Sequence, residues 1–209
     1  MPLANPPMMD RFKEFRKFPL LRTKRLNLRE LTIEDAEWFL RHFSTPEIVK
    51  GDGSEGPDGF EGAERELRQY CIDLFSRREG FRWGLELRTE PRLVGSAGFY
   101  KWFAHTPHKA ELGYDLDPDY WGQGLMTEAL TAVIGFGFLR MKLRRIQVII
   151  APHNKNSLRL ARRLGFKKEG LLRENSLDEH GRPEDDLLYS LLKREWQPEG
   201  RKGKIRRNS

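Results

Sequence analysis

Between Glu111 and Ala129 the chain reads Glu-Leu-Gly-Tyr-Asp-Leu-Asp-Pro-Asp-Tyr-Trp-Gly-Gln-Gly-Leu-Met-Thr-Glu-Ala, and this stretch constrains the fold most tightly. A strand ending at Leu116 and a turn through Pro118 lead into Trp121-Gly122-Gln123-Gly124, and a helix follows from about Leu125 to Met141. Two glycines just before a helix let the backbone approach a ligand closely. The first helical N–H groups have no partner within the helix, and the macrodipole places about half a positive charge there. Together these suit a phosphate or pyrophosphate. Taken alone, the pattern serves equally well as a structural turn. It is not a Walker loop, because no Gly-Lys-Ser/Thr follows. It is not a Rossmann fingerprint either, since the third glycine is missing and the neighbouring strands do not form repeated parallel units.

The surrounding pattern alternates strands with helices. Leu21–Leu31 reads as a first strand, and Thr32 with Asp35 as a capping-box start for a helix through Phe43. Ser44–Gly59, rich in Gly, Asp, Ser and Pro, is expected to be a mobile loop. Phe60, Ala63, Leu67, Cys71, Leu74 and Phe75 recur at helical spacing, predicting an amphipathic helix over Gly59–Arg78 with Cys71 in the core. Phe81–Arg88 and Leu93–Tyr100 predict a hairpin, and Lys109–Leu116 a further strand. Arg145–Ala151 reads as a buried strand and Asn156–Leu164 as a short helix ended by Gly165. Phe166–Arg173 and Asp186–Lys193 form a closing pair across the turn at 178–181. Strands on both sides of intervening helices imply a mixed α/β sheet.

A length of 209 residues suits a single domain. The hydrophobic fraction of 38%, with 13 Phe and 5 Trp, is enough for a core. One cysteine excludes a disulfide framework and a cysteine-based zinc site. No apolar run approaches the ~20 residues of a membrane span, and residues 1–10 lack the apolar stretch of a secretory signal. A cytoplasmic protein with no membrane contact is expected. The net charge of +7 is concentrated at the ends: residues 1–25 carry +5, residues 200–209 another +5, and the body between them about −3. The expected layout is a basic extension over 1–20, a domain over 21–197 and a disordered basic tail over 198–209. An acidic body argues mildly for a cationic substrate. The five histidines have no metal-ligand spacing, so no metal is expected.

Trp121-Gly-Gln-Gly-Leu-Met-Thr-Glu-Ala129 resembles the coenzyme A pyrophosphate loop of the GNAT N-acetyltransferase superfamily, and other expected parts follow in order. Thr23-Lys-Arg-Leu-Asn-Leu-Arg29 resembles the opening strand of the ribosomal-protein N-acetyltransferase-like (RimJ/RimL type) branch. Glu111-Leu-Gly-Tyr114 resembles its central strand, Asn154-Lys-Asn-Ser157 with Leu164-Gly-Phe166 the segment after its fifth strand, and Leu188-Tyr-Ser-Leu-Leu192 its last strand. The resemblance covers about residues 20–196. It implies a single-domain GNAT-like α/β fold, with a mixed, mostly antiparallel central sheet flanked by helices, and acetyl-CoA as co-substrate. It also implies cofactor contacts from Trp121, Gly122, Gln123, Gly124, Leu125, Met126 and Thr127, from the backbone of Tyr114 and Leu116, and from Asn154 or Asn156. Trp121 and Met126 depart from the superfamily pattern, and Met126 is expected to narrow the site. Many members carry a tyrosine acid where this chain has Ala161.

Acetyl transfer to an amine needs a neutral amine, donors for the oxyanion and a proton for the leaving thiolate. An alkylamine of pKa ~10 is protonated at neutral pH, so a carboxylate must take its proton. Glu111 is the candidate base, with a structural or ammonium-anchoring role as the alternative. Ser157 is the candidate proton donor; it is also a good helix cap. Arg159, Arg162 and Arg163 either reach the ribose phosphate or form a solvated face. By spacing, the place of a glutamate used by some relatives is taken by Ser176, leaving Glu174 as a weaker candidate. The branch implies transfer to a protein N-terminal α-amine. The alternatives are a small polyamine or aminoglycoside-like amine, or a noncatalytic acyl-CoA- or RNA-binding protein whose basic ends contact nucleic acid or the ribosome. A monomer or a homodimer fits equally.

Overall fold

A computed structural model describes residues 14–52, 56–102, 106–178 and 180–197. Leu26 and Leu28 alternate with Asn27 and Arg29 and are fully buried from β2 (Leu26–Glu30). The sequence reads as one strand over Leu21–Leu31, but a turn splits off a short β1 (Leu21–Arg22). The turn is closed by the Thr23 N–H on Leu26 O at 2.9 Å and the Leu26 N–H on Thr23 Oγ1 at 3.0 Å. Thr32 and Asp35 start the first helix as expected: the Asp35 carboxylate accepts the Thr32 N–H at 2.9 Å, and a 3₁₀ turn (Ile33–Asp35) runs into α1 (Ala36–Phe43).

The expected loop at 44–59 is corrected. Pro46–Asp52 forms a helix, α2, with proline at its first position, where the missing N–H and fixed φ do no harm. The amphipathic helix over 59–78 is present as α3 (Gly59–Leu67), a π turn (Arg68–Ile72) and α4 (Asp73–Ser76). Ala63, Leu67, Cys71 and Leu74 are buried along it. Burial pushes the Cys71 thiol up to about 12, which makes it an inert core residue. There follow β3 (Phe81–Leu87), β4 (Leu93–Tyr100), β5 (Lys109–Leu116), α5 (Leu125–Leu139), β6 (Arg145–Ile150), α6 (Lys155–Arg163), β7 (Lys167–Leu177) and β8 (Pro183–Leu192).

The sheet order is β1-β2-β3-β4-β5-β6-β8-β7. Every neighbouring pair is antiparallel except β5–β6, whose parallel pairing follows from the α5 crossover. The fold is therefore the mixed, mostly antiparallel α/β architecture expected. One large core cluster joins Phe81, Trp83, Phe99 and Leu112 to Ala129, Val133 and Phe138 of α5 and Leu158 of α6. A second joins Leu31 and Leu93 to α1 and α3.

The folded body begins earlier than position 21. Phe15 is buried with its ring 5.1 Å from Phe81 and 5.5 Å from Phe136. Phe18 packs on Phe75, Phe81 and Trp83, and Trp83 Nε1 donates to Pro19 O at 2.6 Å. Phe15, Phe18 and Pro19 thus anchor this segment on the core, while Glu14, Arg16, Lys17 and Leu20 stay exposed. The remaining extension (1–13), the tail (198–209) and His105 lie outside the described residues.

Candidate active site

The parallel ladder between β5 and β6 pairs Lys109, Ala110 and Glu111 with Arg145, Ile146 and Gln147 and ends there. β5 runs on to Leu116 with its register to β4 unbroken. Above this vertex lies a cleft of about 590 Å³, bounded by the end of β5, the glycine loop, the start of α6 and α2. Of the residues selected from sequence, Tyr114, Leu116, Trp121, Gly122, Gly124, Met126, Thr127, Asn154, Asn156 and Ser157 line it. Three do not. Leu125 is buried in the core, Gln123 turns its carbonyl to Arg25, and Glu111 sits at the vertex.

The glycine loop is built by its backbone. Gly122 and Gly124 both lie in the left-handed region, at φ 74° and 76°, and Gly124 is the N-cap of α5. Arg25 and Glu128 clamp the loop from outside: Arg25 Nη1 donates to Gln123 O at 2.9 Å, and Arg25 N and Nε each donate to the Glu128 carboxylate at 2.7 Å. Thr23 Oγ1 adds a 2.6 Å bond to Glu128. Burial alone would raise the Glu128 carboxyl, but these donors outweigh it and hold it below the usual range. Trp121 Nε1 donates to Leu116 O at 2.7 Å and folds the indole back on β5. Sequence reasoning missed the clamp, although Arg25 and Glu128 both stand inside segments it singled out.

Asn154, not Ser157, caps α6: its Oδ1 accepts the Ser157 N–H at 3.0 Å. The Ser157 hydroxyl is left to Tyr114, whose Oη lies 2.7 Å away. Desolvation pushes the Tyr114 phenol up to about 12, against the opposing bond from Ser157. Ala161 is buried in the core. Arg159 and Arg163 line the cleft, while Arg162 turns to Tyr189 Oη at 3.2 Å.

Glu111 is 5% exposed, salt-bridged to Lys101 Nζ at 3.0 Å and bonded to Gln147 Nε2 at 3.0 Å. Alternation along β5 places it on the opposite face from Tyr114. On the Glu111 face, Asp115 accepts from the Ser96 N–H at 2.8 Å, Ser96 Oγ at 2.7 Å and His42 Nε2 at 2.8 Å, and pairs with Arg82. Burial would raise Asp115, but the Arg82 charge with the His42 and Ser96 bonds brings it down to about 2. The sequence reading left this cluster unnoticed. His153 joins α2 to β8, with Nδ1 2.8 Å from Glu184 and Nε2 3.1 Å from Lys50 O. Glu174, at a positive φ of 48° in a bulge of β7, and Ser176, paired with Glu184, stand outside the cleft lining. Among the described residues no cluster of His, Cys, Asp and Glu is arranged to hold a metal, and no helix is long and apolar enough to cross a membrane.

Comparison with known proteins gives a consistent result. Residues 25–167 match the family model of the acetyltransferase (GNAT) domain. The chain is 35% identical over 176 residues to the uncharacterized N-acetyltransferase YoaA of Bacillus subtilis (strain 168), covering 84% of this chain and 98% of that one. It is 34% identical over 187 residues to the ribosomal protein uS5-alanine N-acetyltransferase of Escherichia coli (strain K12), covering 85% and 93%. Among solved structures, a GNAT-family acetyltransferase from Bacillus anthracis superposes with a TM-score of 0.70 at 25% identity, covering 83% and 98%.

Proposed function

From the premise that the chain belongs to the acetyltransferase (GNAT) family and is an N-acetyltransferase, we propose that it carries acetyl from acetyl-CoA to the α-amine of a protein N-terminus. The observation that carries the choice of acceptor is the likeness to the uS5-alanine N-acetyltransferase, which runs through 85% of this chain and 93% of that enzyme. A slightly acidic body agrees with an acceptor that arrives as a cation.

The residues present fit the donor. The amides of Gly122–Met126 lead into the N-terminus of α5 with two left-handed glycines, the arrangement that receives a diphosphate. Arg159 and Arg163 line the same cleft and supply charge for further phosphate oxygens. Asn154 and Asn156 line the same cleft and would offer hydrogen bonds to the amide-bearing arm. Beyond Glu111, the β5 backbone from Leu112 to Leu116 leaves the β6 ladder, so its edge is available to the arm and to the thioester carbonyl. When bound, acetyl-CoA supplies an activated acyl group on sulfur.

Glu111, at the vertex and on the face of β5 opposite Tyr114, takes the acceptor's proton directly or through water. Its partner Lys101 is half exposed, and that ammonium marks the kind of cation the carboxylate receives. The test is incubation of the purified protein with acetyl-CoA and a panel of peptides with free N-termini, polyamines and aminoglycosides, read by mass spectrometry. Acetyl on peptide α-amines is the expected result. Acetylated polyamines with untouched peptides would replace the acceptor, and thioester loss without any acetylated product would overturn the reading.

A further inference from the structure

We propose that Tyr114 and Ser157 form one proton path to the departing sulfur, Ser157 giving its hydroxyl proton to the thiolate while it takes the phenolic proton of Tyr114. The inference rests on the acetyl-CoA reading above and adds a residue on β5 to the machinery of that site. Both side chains line the cleft, they come from different elements, and their oxygens stand 2.7 Å apart. Ser157 is freed for the role because Asn154 caps the helix. It carries the one hydroxyl in α6, and one turn further on Ala161 is buried and has no proton to give.

The chemistry explains why the pair acts where serine alone would not. An aliphatic alcohol is a far weaker acid than a thiol, so a serine that protonated sulfur unaided would be left as an alkoxide. Even pushed up to about 12 by desolvation, the Tyr114 phenol lies closer than an aliphatic alcohol to a thiol at ~8.5. Coupling the two transfers leaves the charge on the Tyr114 ring oxygen. The acceptor nitrogen bonds to the acyl carbon, the carbon–sulfur bond breaks with its electron pair on sulfur, and sulfur takes the Ser157 proton. Ser157 takes the Tyr114 proton, the nitrogen loses its surplus proton to Glu111 or water, and one proton from solvent restores the phenol. Because desolvation pushes the Tyr114 phenol up to about 12, the proton is in place throughout the neutral and mildly alkaline range.

The experiment uses the full chain with Tyr114→Phe, Ser157→Ala, the double variant and Ser157→Thr, each checked for native circular dichroism. Tyr114→Phe and Ser157→Ala should each lower kcat by about 10- to 100-fold, within the range of general-acid effects, with the acetyl-CoA KM unchanged. The double variant should lose no more than the worse single one, because one path is broken once, and Ser157→Thr, which keeps the hydroxyl, should restore most of the rate. Independently of any acceptor, the thiol of bound CoA, titrated by its ultraviolet thiolate absorbance, should rise by about one unit in Tyr114→Phe as the stabilising donor is lost. A Tyr114→Phe variant with full kcat, or with the loss confined to KM, or with an unmoved CoA thiol, overturns the path. A wild type that acetylates no amine overturns instead the reading on which it rests, since the thiol titration needs only CoA.

Discussion

At Gly124 the constraint is torsional, because the nearest atom to an added Cβ would be Arg25 Nη2 at an ordinary 3.7 Å, while φ is 76°. A left-handed non-glycine residue costs about 1–2 kcal/mol, so Gly124→Ala should raise the acetyl-CoA KM roughly tenfold with kcat little changed, as steady-state kinetics will show. Glu111→Gln removes the proposed base and should lower turnover about 100-fold at neutral pH. As pH rises toward the amine's own pKa, part of the rate should return, and an unchanged rate–pH profile would remove Glu111 from the role. Asp115 governs stability. Its carboxyl sits at about 2 in the fold against ~3.9 when unfolded, so its contribution is complete above pH ~5 and is lost as pH falls toward 2, amounting to about 2–3 kcal/mol. Urea unfolding across that range should show the loss, and in Asp115→Asn the dependence should flatten as the ion pair with Arg82 is lost. Residue types at this site were legible in the sequence: Glu111, Ser157 and the two glycines stand on motifs. The partnership of Tyr114 with Ser157 was not, because two hydroxyls 43 positions apart meet only through the placement of β5 against α6.

Elements defined by local patterns were the most readable. β5 spans the expected Lys109–Leu116, since its two ends are set by turn residues. α2 was read as loop because Gly, Asp, Ser and Pro dominate 44–59, and a seven-residue helix is too short to hold itself by propensity alone. Its support is tertiary. His153 ties Lys50 O to Glu184 across the cleft entrance, and α2 supplies Glu47 and Ile48 to the lining. His153→Ala should therefore loosen α2 and, because α2 lines the cleft assigned to the donor, weaken CoA binding several-fold while the melting temperature changes little. Isothermal titration with CoA beside thermal unfolding separates the two effects. The Arg25–Glu128 clamp acts at the other wall: Glu128→Ala releases Arg25 from the loop carbonyl and should weaken CoA binding as well.

For the molecule as a whole, the mixed sheet could be anticipated from alternating strands and helices, and its mostly antiparallel character from the family resemblance, but the full strand order and the point where β5 and β6 part could not, because the extent of a ladder depends on side chains from both strands and on what packs against them. The chain ends show the same limit. Residues 1–20 read as a basic extension, since the first 25 positions hold seven Lys/Arg against two acids and Phe15 and Phe18 form no periodic stripe. Their partners, Phe75, Phe81, Trp83 and Phe136, lie some sixty to a hundred and twenty positions away. Deleting residues 1–13 together with 198–209 is therefore expected to leave acetyl transfer and the melting temperature close to those of the full chain. Deleting 1–20 is a different change. It strips Phe15 from the core, where loss of a buried phenylalanine side chain costs about 3–5 kcal/mol, uncovers the ring cluster under Phe18, and leaves Trp83 Nε1 without Pro19 O at about 1–3 kcal/mol more. Against a total stability of about 5–15 kcal/mol the shorter chain should melt far earlier or fail to fold, and thermal unfolding of the two truncations followed by circular dichroism decides it. Equal melting temperatures would mean that the aromatic packing of residues 14–20 adds nothing to the fold.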